Sequence, residues 1–218
     1  MDFLNIINAR RSVRIFTTEP VGKDLITKII EVAVKAPSAC NVQGWRFIVI
    51  DNKEIQQKLI DYGGSVVLKN APVGILVLYD NRTKDVEYND FIQSAAAGIE
   101  NLLLAATYYG LGSSWICHLP TKGQLRKMFS IPSYFDPIAY VLLGYRQGEP
   151  APMLRKYMTA DIIGYNKFNI SSVSKNASES YFMLKKLLVK IYYITPLFIK
   201  KGFLNKFLDK HFVKKFKN

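Results

Sequence analysis

The chain has 218 residues, almost half of them apolar and 22% charged, which excludes a disordered polymer and suits one globular domain with an appendage. No run approaches the ~18 unbroken apolar residues of a membrane span. The opening MDFLNIINARR places an acid before its apolar patch and bases after it, the reverse of a secretory leader, so secretion is not expected. The formal charge of +13 suggests a nucleic-acid partner until it is localised: from Ile170 onward 11 lysines face only Glu179 and Asp209, a net +9, which leaves +4 for residues 1–169.

In chain order, Asp2–Asn8 reads as a short helix and Lys23–Lys35 as a longer one. The longer helix has Leu25, Ile26, Ile29, Ile30, Ala33 and Val34 on one face and is stopped by Pro37. Trp45–Asp51 reads as a strand, and NKEIQQKL begins a helix capped by Asp51 or Asn52. Ala71–Asp80 has the continuous apolar run of a strand buried on both faces. The longest helix spans Asn89–Tyr109 and ends at Gly110; Ser94, Ala95, Ala97 and Gly98 leave room on it for a neighbouring backbone. Gly112–Leu119 reads as a strand, Gln124–Met128 as a short helix and Asp136–Tyr145 as a last buried strand. The alternation is irregular and does not force a doubly wound sheet. Asn, Ser and Lys dominate Asn166–Ser180, as in a linker, dividing the chain into a body, 1–169, and an extension, 170–218.

Cys40 and Cys117 fit no metal or redox spacing and read as free thiols in a reducing cytosol, with the inert buried thiol ranked above a sensor of oxidation. No His/Cys/acid cluster suggests a metal. His118 reads as a strand-end residue ahead of a proton donor, and His211 as solvated.

The chemistry concentrates in INARRSVRIF, where Arg10, Arg11, Ser12 and Arg14 crowd together. One reading is a solvated basic helix end, suited to the negative end of the helix dipole. The other is an anion site, because guanidinium forks and a hydroxyl match the oxygens of a phosphate.

RRSVRIF, then APSACNVQGWRFIVI, then GLGSSWI, then LLGYRQGEPAPMLRKYMTADI resemble, in order and spacing, the FMN-dependent nitroreductase family over residues 3–165. The resemblance implies an α+β, three-layer fold with a central mixed sheet flanked by helices, forming an intertwined homodimer. It implies that Arg10, Arg11, Ser12 and Arg14 hold the FMN phosphate and ribityl chain, joined by Arg155. It also implies that Pro37, Ser38 and Asn41 reach the flavin from the partner subunit with Gln43 close by. Ser114, Trp115 and Ile116 would then lie along the ring, and Gly144 would allow close approach. From the residues alone, APSACN also reads as a simple turn, and Trp115 as a core aromatic. Gly44 stands where the family usually has proline, which should loosen that loop. The pyrimidine edge of the ring has no clear counterpart contact, with YGGSVV covering that region ambiguously.

The activity implied is oxidoreduction: hydride passes from NAD(P)H through flavin N5 to an electron-poor acceptor of nitroaromatic, quinone or enone type, in a ping-pong scheme needing no catalytic acid–base pair. Two alternatives keep different parts of this reading. One is a flavin-binding or flavin-free adaptor anchored by its tail, and the other a pathway-specific dehydrogenase or dehalogenase of the same fold.

The extension alternates aromatic and aliphatic residues with lysines: Phe203, Leu204, Phe207, Leu208, Phe212 and Phe216 recur at helical spacing, with Lys206, Lys210, Lys214 and Lys217 mostly on another face. A basic amphipathic helix of this kind suits an anionic membrane surface through residues 181–218, or packing on the partner subunit. RNA binding ranks below both, since no nucleic-acid module is recognisable. A cytoplasmic location is expected, with the inner membrane face as the place the tail would take it.

Overall fold

A computed structural model describes residues 2–82, 85, 87–150, 154–168, 183, 184 and 187. Nine elements follow in order: α1 (Phe3–Ala9), α2 (Lys23–Ala33), β1 (Trp45–Ile50), α3 (Lys53–Asp61), β2 (Val73–Asp80), α4 (Asp90–Tyr108), β3 (Gly112–Ile116), α5 (Lys122–Phe129) and β4 (Phe135–Gly144). Single 3₁₀ turns occur at Ala39–Asn41, Val66–Lys69 and Thr159–Ile162. Polar side chains set the starts of α1, α3 and α5. Asp2 accepts the Asn5 N–H at 3.0 Å, Asn52 accepts those of Glu54 and Ile55, and Thr121 with Gln124 closes a capping box on α5. The expected basic amphipathic extension, 170–218, lies outside the described residues, apart from Met183, Leu184 and Leu187.

The sheet order is β1-β2-β4-β3, and all three pairings are antiparallel. The expected mixed sheet is therefore corrected. Among the described residues the parallel contact is an isolated bridge, Ser12 to Ser113. The apolar run of β2 reports burial on both faces, and burial is blind to strand direction. Alternate residues of the sheet feed two cores. Ile75, Val77, Val141 and Leu143 pack with α2 and α4, through Ile29, Ile99 and Leu102. Leu76, Leu78, Tyr140 and Leu142 pack on the other face with Leu59 of α3, Leu68 and Leu125 of α5. The result is three layers, helices on either side of one sheet.

Gly74 and Gly98 are among the glycines demanded by close approach. Tyr140 lays its phenol where a side chain on Gly74 would stand, and burial holds that phenol above its ordinary pKa. A Cβ on Gly98 of α4 would come within 2.5 Å of the Trp45 indole nitrogen. The space left by the small residues of α4 is thus filled there by an indole ring as well as by backbone.

Candidate functional site

The arginine segment runs from the end of α1 along β3, an edge strand of the sheet. Ser12 bridges Ser113 of β3, and the Val13 N–H donates to the Ser113 carbonyl at 2.9 Å. Val13 is buried and occupies the space that a Cβ on Gly112 would need. Beyond it, the Thr17 N–H donates to the Tyr145 carbonyl at 2.9 Å and Phe16 bridges Arg146. The sequence motifs RRSVR, GSSWI and LLGYR are thereby side by side in space.

The cations on this segment make several contacts within the chain. Arg10 Nε lies 3.4 Å from Glu100 on α4. Arg11 donates to the carbonyls of Asn8 and Arg10, both at 3.0 Å, and Arg14 reaches the Ser12 carbonyl at 3.4 Å. Burial lowers the pKa of the Arg14 guanidinium, the mark of a cation that has lost water. Ser12 is exposed.

The second segment, Pro37–Gln43, is held by hydrogen bonds. Ser94 of α4 accepts the Ala39 N–H at 3.0 Å through Oγ, and its carbonyl accepts the Trp45 indole N–H at 3.0 Å. Ser38 Oγ accepts the Gln43 N–H at 3.0 Å, and the Gln43 amide donates to Asn41 Oδ1 at 2.7 Å. Cys40, Asn41 and Gln43 all have positive φ, of 50°, 55° and 50°. Left-handed backbone costs roughly 1–2 kcal/mol per non-glycine residue, so this loop stores strain, which tends to gather at ligand-binding loops. The turn expected for APSACN is present, in a strained form. Gly44 does not loosen it: a Cβ there would lie 2.9 Å from both Tyr79 and Asp80, and its carbonyl accepts the Asp80 N–H.

On β3, Ser114 and Ile116 are buried, and Trp115 packs against the α2–α4 core, as its core reading expects. Ser113 Oγ, Ser114 Oγ and Trp115 Nε1 are buried without a hydrogen-bond partner among the described residues. Gly144 does allow a close approach, but Pro72 and Phe16 make it, at 2.6 and 3.1 Å from where a Cβ would stand. Arg155 is exposed, in a stretch 154–168 that is exposed throughout. Cys40 and Cys117 are free and exposed, correcting the buried-thiol reading, since one sits on the strained loop and the other just past the end of β3. Sequence reasoning missed Arg146, which carried no signal beyond being one arginine after a strand, and the anchoring role of Ser94 and Glu100. Among the described residues no helix is long and apolar enough to cross a membrane.

Comparison with known proteins agrees with this arrangement. The sequence pattern of the "Nitroreductase family" matches residues 7–66 and 61–145. A Methanothermobacter thermautotrophicus protein, whose name couples NADH dehydrogenase with NAD(P)H nitroreductase, is 35% identical over 156 residues, covering 69% of this chain and 80% of that one. A Bacillus subtilis FMN reductase [NAD(P)H] is 28% identical over 163 residues, 66% of each chain. Among solved structures, an FMN-dependent nitroreductase of Clostridium difficile R20291 superimposes with a TM-score of 0.66 at 28% identity, covering 76% of this chain and 100% of that one. The chain belongs to the nitroreductase family.

Proposed function

We propose that the protein is an FMN-dependent oxidoreductase that draws reducing equivalents from NAD(P)H and passes them to a small electron-poor acceptor. The observation that carries this reading is the arginine segment laid along β3, with Ser12 bridged to Ser113. Relatives named as an FMN reductase [NAD(P)H] and an FMN-dependent nitroreductase support the same cofactor and electron donor.

The residues fit FMN. Arg10, Arg11, Ser12 and Arg14 offer charged forks and an exposed hydroxyl for the phosphate and ribityl chain, and the one carboxylate paired with Arg10 is half exposed and easily outcompeted. When bound, FMN supplies a ring nitrogen that accepts a hydride from reduced nicotinamide and delivers it to a nitroaromatic, quinone or enone in a ping-pong scheme. The chain's own task is positioning. The strained Ser38–Gln43 loop keeps the amides of Asn41 and Gln43 exposed, where they can donate and accept at a heteroaromatic edge. β3 offers Ser114, Trp115 and Ile116 as the wall beside the arginines.

The two segments also argue for a homodimer. The loop is fixed to Ser94 and Arg10 is paired with Glu100. These α4 residues are six apart, about 9 Å along the helix and about 120° around it. One chain thus turns its two cofactor segments to different sides of α4, and a partner's loop completes the site over the arginines.

The test is spectroscopic. Purified full-length protein is expected to be yellow and to oxidise NADH or NADPH with a quinone or nitro compound. A colourless protein that takes up no added FMN would end this reading. Bound flavin without turnover on any such acceptor would leave the binding reading and remove the activity.

A further inference from the structure

We infer, resting on the FMN reading above, that Arg146 is a further ligand of the cofactor phosphate, held ready by Glu149 in the cofactor-free protein. The starting observation is a hollow of about 130 Å³ whose wall includes Arg11, Val13, Thr107, Gly112, Arg146 and Pro150. Two guanidinium-bearing residues, Arg11 and Arg146, therefore line one small cavity, and an anion entering it would meet both.

The backbone explains why Arg146 is there. Phe16 bridges Arg146, and the Gln147 N–H donates to the Ile15 carbonyl at 3.2 Å, so the residues just after β4 are sewn to the arginine segment. Gly148, with φ +76°, turns the chain back. That turn brings the Glu149 carboxylate within 2.7 Å of Arg146 Nη2. Both partners are exposed, Glu149 more so, and a carboxylate so wet is a weak competitor for a guanidinium. A phosphate monoester brings nearly twice the charge and three oxygens to the same fork. Arg11 uses one nitrogen, Nη1, for its two carbonyl contacts, and a guanidinium has five N–H donors in all. Arg155, which the family resemblance assigns to the phosphate, lies in the exposed 154–168 stretch, whereas Arg146 is bridged directly to the segment through Phe16.

Comparing FMN with riboflavin, which lacks the phosphate, isolates this contact from any general effect on folding or ring binding. Flavin-stripped full-length protein is titrated with each by fluorescence. Wild type is expected to prefer FMN. Arg146→Gln is expected to weaken FMN by about tenfold or more while leaving riboflavin unchanged, because only a charge-assisted bond to phosphate is lost. Arg146→Lys should recover part of the preference. Glu149→Gln should tighten FMN severalfold, again without moving riboflavin. An Arg146→Gln variant that keeps the full wild-type preference for FMN overturns the inference and leaves the FMN reading standing. Equal weakening of both flavins also overturns it, since that is what a structural role would produce. If wild type binds neither flavin, the FMN reading itself falls.

Discussion

Two clusters of basic residues in this chain meet the same electrostatic problem in different ways. Around β4, Lys122 and Arg126 both pair with Asp136, whose side chain is only 10% exposed and also accepts from Asn81. Burial would raise that carboxyl, but hydrogen bonds from Lys122 and Asn81 and the charges of Lys122 and Arg126 hold it below its ordinary pKa. Near the amino terminus, Arg10 has Glu100 at 3.4 Å, half exposed, while Arg11 and Arg14 lean on carbonyls. The first cluster contains its own anion and is structure. In the second, the carboxylate beside Arg10 is half exposed, and a strong incoming anion could displace it.

The largest effect should come from emptying the second cluster. Arg10→Ala combined with Arg14→Ala is expected to weaken FMN by about 100-fold or more, as two charge-assisted contacts are lost. In flavin-stripped protein Arg10→Ala alone should shift stability by less than about 1 kcal/mol, because its pair with the half-exposed Glu100 contributes little. Fluorescence titration and urea unfolding read the two quantities. A variant that unfolds, or that keeps its flavin, would erase the distinction between the clusters.

Asp136→Asn should do the opposite: flavin affinity little changed, stability lowered by about 2 kcal/mol, since two cations lose a shared buried partner. The pH dependence follows from the depressed folded pKa. The contribution of Asp136 is fully present above the ordinary carboxyl value of 3.8 and is lost as pH falls through the lower folded value. Urea midpoints of wild type and variant should therefore differ at pH 6 and converge in acid below about pH 4. A gap that persists unchanged into acid would show that Asp136 acts through packing and not through charge.

Reading the sequence located the second cluster and not the first. Four clustered residues, Arg10 to Arg14, are visible in one line of text, as is the periodicity that placed α2, α4 and the strands. Asp136 pairs with residues 10 and 14 positions away, across a strand and a helix, and such pairs exist only once β4 and α5 are packed. Strand direction was illegible for the reason that a doubly covered strand is apolar throughout. The strain at Cys40 was illegible because cysteine carries no left-handed preference; tertiary bonds from Ser38 and Ser94 impose it. Arg146 was missed because its neighbours come from a segment more than 120 residues earlier in the chain.

That loop offers a smaller test of how the site is held. Ser94→Ala removes the acceptor of the Ala39 N–H and should cost about 1 kcal/mol. Much of the change should appear locally, as faster amide exchange from Ala39 to Gln43, because stored strain is released when one restraint goes. Weaker binding of FMN and riboflavin alike would follow, in contrast to the phosphate-selective loss expected at the arginines. Unchanged exchange in the loop would mean that Trp45 and Ser38 suffice to hold it.

The smallest effect is the sharpest comparison. Glu100 and Asp136 are both carboxylates paired with arginine, and in sequence nothing separates them. If Glu100 were an internal counter-ion of the same kind, Glu100→Gln would destabilise the fold about as much as Asp136→Asn. Its 3.4 Å separation from Arg10 and its half-exposed side chain argue for a few tenths of a kcal/mol instead. Removing it also removes a negative charge from beside the proposed phosphate. FMN affinity should then rise modestly, about twofold to threefold, and the gain should shrink as salt screens the repulsion. Riboflavin should not respond. A large loss of stability in Glu100→Gln would place Arg10 among the structural ion pairs, with its charge already answered by the chain.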